Sequence, residues 1–298
     1  MRLPVWRQLP YISPSTFLKW QSCQHRVYLS RLAGFKYKHE PQGLAAAYGS
    51  AFDSFIKGHI AKELNIKTKV LTTEHLLRQT VDKQHQDVAI PMGKYIAEEY
   101  LKLGIIDEFI KPEVKLDQEL YGMHNAIPIL GQLDMIPNDM PFDWKTGGFT
   151  SYKGRYPKKG WWKKWVLNVK TGDIKEYESH DEKPLDKIDT FWATQMCMYD
   201  WLLHNPERPY IIHEIVQHAN KISFVIYRGN ISQEFNDTLE NQVAAMWSNI
   251  TNDMYHAHIL EPTPSRWVCH KFGVLCEVSE ECIFYQRTLG DPSNIDAK

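Results

Sequence analysis

Gly131-Gln-Leu-Asp-Met-Ile-Pro-Asn-Asp-Met-Pro-Phe-Asp-Trp-Lys-Thr-Gly147 is the stretch on which the fold turns. From Ile127 to Ile136 apolar residues alternate with the rest, the pattern of a strand with one buried face. Pro141 to Thr146 reads as a second, short strand that ends at the Gly147-Gly148 breaker. Asp134 faces away from Leu133 and Met135, and Asp143 and Lys145 share the face opposite Phe142 and Trp144. Two carboxylates and an ammonium therefore converge. Adjacent carboxylates repel each other unless a cation lies between them, and an all-oxygen pair suits a hard divalent ion. With an ammonium to orient or polarise a water, these are the parts of metal-assisted phosphodiester hydrolysis. Read alone, the same residues also fit a turn-capping Asp134 ahead of Pro137 and an exposed strand face carrying Asp143 and Lys145.

Upstream, Val114 to Leu120 alternates in the same way, and Tyr121-Gly-Met-His-Asn-Ala126 connects it to Ile127 as a hairpin. The first third of the chain is helical. Ser13 and Ser15 cap a helix carrying Phe17, Leu18, Trp20, Val27, Tyr28 and Leu29, interrupted near Ser22-Cys23 and closed by Gly34. Leu44, Ala47, Tyr48, Ala51, Phe52, Phe55, Ile56 and Ile60 form the most regular helical stripe in the chain. Thr72 or Thr73 caps a helix reaching about Val88, and Pro91 fits the first turn of another running toward Phe109. Downstream, a hairpin around Lys170-Thr-Gly-Asp173 reads as an insertion. A helix from Ile188 to His204, strands from Tyr210 to Ala219 and Lys221 to Arg228, and a helix from Ser232 to His258 follow.

The 298 residues carry 35 Lys plus Arg against 36 Asp plus Glu, with 43% apolar and 12% aromatic residues. A net charge of −1 excludes a histone-like basic binder and an acidic disordered tail protein. The apolar content supports one large α/β or α+β domain, or two small ones. No apolar run approaches the roughly 20 residues that span a bilayer, so the expected compartment is the cytosol, with no membrane partner. Five cysteines are too few and too scattered for a disulfide framework, which leaves metal ligation or burial.

Gly131-Gln-Leu-Asp134, Asp143-Trp-Lys-Thr-Gly147 and Gln195-Met-Cys-Met-Tyr199, in that order, resemble the PD-(D/E)XK nuclease superfamily. The likeness is to its RecB-like branch of AddB-like, CRISPR-associated and phage exonucleases. The resemblance implies an α/β, restriction-endonuclease-like core, a central mixed sheet flanked by helices, with a helical N-terminal region and a cysteine-clamped tail. It implies one nuclease domain over 1–298: a helical part at 1–111, a catalytic core at 112–260 with a basic aromatic insertion at 149–180, and a Cys-rich tail at 261–298. Asp134 and Asp143 would bind Mg2+ or Mn2+ with the Trp144 carbonyl, and Lys145 would position the attacking water. Gln195 and Tyr199, four apart and so on one helix face, would support the site and contact the nucleic-acid strand.

Where the family has Gly-x-x-x-His, this chain has Gly49-Ser-Ala-Phe-Asp53. Asp53 would supply an oxygen ligand in place of the imidazole, its alternative being a solvated helix position. Cys23 with Cys269, Cys276 and Cys282 matches the family's one-plus-three layout for a [4Fe–4S] cluster. Six residues separate Cys269 from Cys276 where the family's tightest form has two, and zinc and plain burial are the alternatives. Cys197, turned from the Gln195/Tyr199 face, reads as core.

Lys153, Arg155, Lys158, Lys159, Lys163, Lys164 and Lys170 are interleaved with Tyr152, Tyr156, Trp161, Trp162 and Trp165, with no acid among them. Cations neutralise phosphates and aromatic faces stack bases, so this tract suits a groove for single-stranded or frayed DNA, although charge runs also serve as solvated faces. The function expected is a metal-dependent DNA exonuclease working on ends in recombination, repair or phage DNA processing. A structure-specific endonuclease and a noncatalytic DNA-binding subunit are the alternatives. No Gly-x4-Gly-Lys-Ser/Thr loop is present, so unwinding would need a helicase or recombination partner.

Overall fold

A computed structural model describes residues 9–28, 42–151, 153–252, 270–271 and 274–275. Those residues fall into two compact units, one of 41–120 with 131–235, the other drawn from 1–40, 121–130 and 236–298. Every candidate site residue described from Asp53 to Tyr199 belongs to the first.

Some of the helices begin where capping side chains stand. In α1 (Pro14–Ser22) the Ser13 hydroxyl accepts from the Thr16 N–H at 3.2 Å. Cys23, extended at φ −162°, separates α1 from α2 (Gln24–Val27), the interruption expected there. α3 spans Leu44–Glu63, and α4 spans Thr73–Thr80 behind Thr72, whose hydroxyl accepts from His75. The segment expected to run helically from Thr73 to Val88 is broken. α4 stops at Thr80, a 3-10 turn covers Lys83–His85, and α5 spans Gln86–Lys102 with Pro91 inside it and not in its first turn. Proline there removes one backbone donor, a loss offset by burial of Ile96, Ala97 and Tyr100 on the same helix.

β1 (Lys115–His124) and β2 (Ile127–Ile136) are joined by Asn125 and Ala126, both with left-handed φ, a tighter turn than the six residues allotted to it. β3 (Phe142–Gly147), β4 (Lys163–Asn168) and β5 (Ile174–Glu178) follow. After α6 (Leu185–Ile188) and α7 (Thr190–Leu203) come β6 (Pro209–His218), β7 (Lys221–Asn230) and α8 (Gln233–Asn252). The seven strands make one mixed sheet in the order β1-β2-β3-β6-β7-β4-β5. β3 runs parallel to β6, pairing Asp143 with Ile212 and Lys145 with Glu214. β6–β7, β7–β4 and β4–β5 are antiparallel.

One sheet face carries Met135, Phe142, Trp144, Ile211, Ile215, Phe224 and Ile226 into a core with Phe52, Ile56 and Ile60 of α3 and Ile96 and Tyr100 of α5. His213 lies in that core against Phe109 and Phe142, 2.5 Å from the Tyr100 hydroxyl. Burial pushes its pKa down to about 3, so the ring is neutral. With this face committed to the core, alternation turns Asp143 and Lys145 to the other, where α7 lies.

The segment 149–180 is not a free-standing insertion. Its second half supplies β4 and β5, and β4 pairs along its length with β7 as part of the sheet. Among the described residues no helix is long and apolar enough to cross a membrane.

Candidate active site

Asp134 stands on β2, Asp143 and Lys145 on β3, and Gln195 and Tyr199 on α7, capped at its start by Asp189, whose carboxylate accepts from the Trp192 N–H at 2.9 Å. Lys145 Nζ lies 2.5 Å from Asp143 Oδ2 and 2.7 Å from Gln195 Oε1. Gln195 Nε2 donates to the Tyr199 hydroxyl at 2.8 Å, and that hydroxyl donates to the Gln132 carbonyl of β2 at 2.6 Å. The chain of donors thus runs from Lys145 through both helix residues back to the strand bearing Asp134. Gly131 makes room for it, since a Cβ there would come within 2.9 Å of the Tyr199 ring.

A second ammonium, absent from the sequence reading, lies beside the first. Lys57, one helical turn after Asp53, is 4% exposed, and its Nζ sits 2.9 Å from Asp53 Oδ2, 2.8 Å from Asp134 Oδ1 and 3.3 Å from Asp117 Oδ1. Asp117 reaches it from β1 through a left-handed backbone, φ +51°, a conformation costly for a non-glycine residue and tolerated best by Asp and Asn. Gln132 Nε2 also donates to Asp117, at 3.2 Å. The one sequence signal for Lys57 was its place four residues after Asp53, the spacing of a helix ion pair. For Asp117 there was none, because strict alternation sends it to solvent.

Burial, countered in part by Lys145 and reinforced by the charge of Asp134, pushes the Asp143 carboxyl up to about 7. Burial acts on Asp134 in the same sense but is outweighed by Lys57 and by a hydrogen bond from Asp143, so Asp134 is held below the usual carboxylate range. The pair therefore shares a proton near neutrality, carried by Asp143. Asp53 is pushed up to about 7 by burial and by the Asp134 charge, against the pull of Lys57. Lys57 stays protonated, since Asp134 and Asp53 outweigh the burial that opposes its charge. Tyr199 is raised by burial and by Asp143, which keeps its hydroxyl intact as a donor.

A cleft of about 440 Å³ is lined by Asp53 and Asp134 of this group, with Gly49, Trp144 and Thr146 among others. Gly49 faces Thr146 so closely that a Cβ would lie 2.6 Å from its hydroxyl oxygen. Asp53 Oδ1 is buried with no hydrogen-bond partner among the described residues. No three acidic, histidine or cysteine side chains among the described residues stand together as a ready-made metal cage. What is present is a proton-sharing carboxylate pair, a nearby orphan carboxylate oxygen and an open cleft. That set fits Mg2+ or Mn2+, which take one or two carboxylates and complete their shells with water and phosphate oxygens.

The basic tract is less open than expected. Lys153 and Lys159 are exposed, but Arg155 is paired with fully buried Glu214, which also accepts from the Tyr227 hydroxyl at 2.7 Å. Lys158 lies 2.6 Å from Asp189, and Lys163 lies 2.8 Å from Glu178 with Trp162 beneath it. Lys164 covers Trp161, and Arg228 lies 3.3 Å over Trp162. Several aromatic faces expected to stack bases are thus taken by the chain's own cations. Cys23 and Cys197 are buried. Cys269, Cys276 and Cys282 lie outside the described residues, as does Tyr152.

No protein-family model and no curated protein sequence matches the chain. Among solved structures it is similar to a protein from Eubacterium rectale described as a candidate exonuclease. The TM-score is 0.48 at 12% identity, over 86% of this chain and 85% of that one. A likeness of that size carries no argument about chemistry. What the site does is written in its side chains.

Proposed function

We propose that the protein is a divalent-metal-dependent deoxyribonuclease that hydrolyses phosphodiester bonds at DNA ends. The observation that carries this reading is the adjacent Asp134–Asp143 pair, with Asp134 lining a cleft and Lys145 fixed on the same strand face as Asp143. Asp134 and Asp143, with Asp53 and the Trp144 carbonyl, would hold Mg2+ or Mn2+. When bound, such an ion stabilises charge on the phosphoryl oxygens and lowers the pKa of its water. Lys145, held between Asp143 and Gln195, donates to the attacking water and fixes its direction. Gln195 and Tyr199 restrain that ammonium, and the Gln132 carbonyl anchors Tyr199 in turn. Lys153 and Lys159, with the cation-covered aromatics beside them, offer a path for the strand. Cys23, Cys269, Cys276 and Cys282 are assigned to a [4Fe–4S] cluster, for which anaerobically purified protein should contain about four iron and four sulfide per chain. Stoichiometric zinc would exclude it.

The deciding experiment incubates the protein with Mg2+ or Mn2+ and end-labelled linear duplex, linear single strands or covalently closed circles, beside Asp143→Ala. Cleavage of linear DNA alone, lost in the variant, is expected. Cut circles would make the enzyme an endonuclease, and binding without cleavage would leave a noncatalytic subunit.

A further inference from the structure

Resting on the metal-dependent reading above, we infer that Lys57 occupies the position a second divalent cation would take and limits the site to one ion per chain. Its Nζ lies among three carboxylates, Asp53, Asp117 and Asp134, at 2.8 to 3.3 Å, and it is buried. Two of those acids, Asp53 and Asp134, line the cleft in which the cation is assigned. Each gives one oxygen to Lys57, and Asp53 keeps its other oxygen buried with no hydrogen-bond partner among the described residues. The strained backbone at Asp117 brings the third carboxylate to the same ammonium, so strand and helix are both shaped around a fixed positive charge.

Charge balance gives the same answer. Asp53, Asp117, Asp134 and Asp143 bring four negative charges when ionised, and Lys57 and Lys145 bring two positive ones. Two negative charges are left, which one divalent ion neutralises. A second would leave two positive charges uncompensated, against one once Lys57 is replaced by a neutral side chain, and uncompensated charge is expensive. Lys57 is thus a positioning residue. It draws Asp53 and Asp134 into place before the ion arrives and denies a second ion their shared oxygens. Lys145 cannot do this, since among the described acids it contacts only Asp143, and it belongs to the water side of the site.

The test counts bound Mn2+ on the purified full chain by equilibrium dialysis with electron paramagnetic resonance, without DNA, so that no activity enters the readout. The wild type should bind one ion. Lys57→Met should bind two, the pair visible as a spin-coupled signal, and Lys57→Gln carries the same expectation where the methionine variant does not fold. Lys57→Arg, which keeps the charge, should stay at one. Two ions in the wild type, or one in folded Lys57→Met or Lys57→Gln, overturns the inference and leaves the nuclease reading intact. No ion in the wild type overturns the metal-dependent reading and this inference with it.

Discussion

Two lysines that pair with the acids of one site are built for opposite tasks. Lys57 is 5% exposed along its side chain and meets three carboxylates, whereas Lys145 is 21% exposed and meets one carboxylate and one neutral amide. The first has little left to give to anything else. The second keeps N–H capacity for a ligand, since an ammonium carries three donors and only two are used among the described residues. Similar ingredients thus make a structural joint in one place and a reactive end in the other, and the number of acids around each ammonium draws the line.

The sharpest way to break this contrast is to remove each lysine in turn. Lys145→Ala should lower cleavage about a thousandfold while shifting the thermal midpoint little, because its carboxylate partner can take up a proton and its amide partner is neutral. Lys57→Met should instead cost about 3 kcal/mol of stability in urea titrations, because it leaves three carboxylates facing one another without a cation. If both variants lost activity and stability alike, the division of labour would be wrong. Tyr199→Phe probes the join between the two regions. Without its hydroxyl the Gln132 carbonyl and Gln195 lose their common partner, so cleavage should fall about tenfold, equivalent to roughly 1.4 kcal/mol, measured as kcat with KM nearly unchanged.

Asp200, next to Tyr199, sharpens the comparison as an acid without a lysine. Both its carboxylate oxygens are buried with no hydrogen-bond partner among the described residues, and burial, eased slightly by Arg208, pushes its pKa up to about 9. A folded-state pKa above the unfolded value means stability is fully present below about pH 4 and is lost as pH rises toward 9. Asp200→Asn should therefore raise the thermal midpoint by a few degrees at pH 8, with the gain shrinking toward pH 4. A gain independent of pH would refute the assignment. The smallest effect is expected at the basic tract. Lys153→Ala with Lys159→Ala removes two of the tract's exposed lysines and should lower the salt slope of DNA binding by about 2, with cleavage at saturation unaltered. An unchanged slope would place the DNA path elsewhere.

Periodicity was a good guide wherever a segment had a dry face and a wet one. Alternation put Phe142 and Trp144 in the core and Asp143 and Lys145 opposite, and the four-residue step put Gln195 beside Tyr199, all as the packing has them. It failed where tertiary partners overrode local pattern. Pro91 reads as a helix start, yet the helix begins five residues earlier because its apolar residues have a core to enter. Asp117 reads as solvent-facing, but a single left-handed residue turns it toward Lys57. The basic tract reads as one exposed loop, because acids that neutralise it, such as Glu178, Asp189 and Glu214, arrive later in the chain. A pattern read over a few neighbours registers charge but not the partner that folds against it.

The parallel pairing of β3 with β6 also sets an order of assembly. Hairpins such as β6–β7 close over a few residues, whereas Phe142 must wait for Ile211, with β4, β5 and two helices intervening. Closing that long loop is entropically slow compared with local pairing. During synthesis the acidic pair leaves the ribosome well before the floor beneath it exists. The geometry of the candidate site is therefore expected late in folding, when the rest of the sheet is ready to hold it.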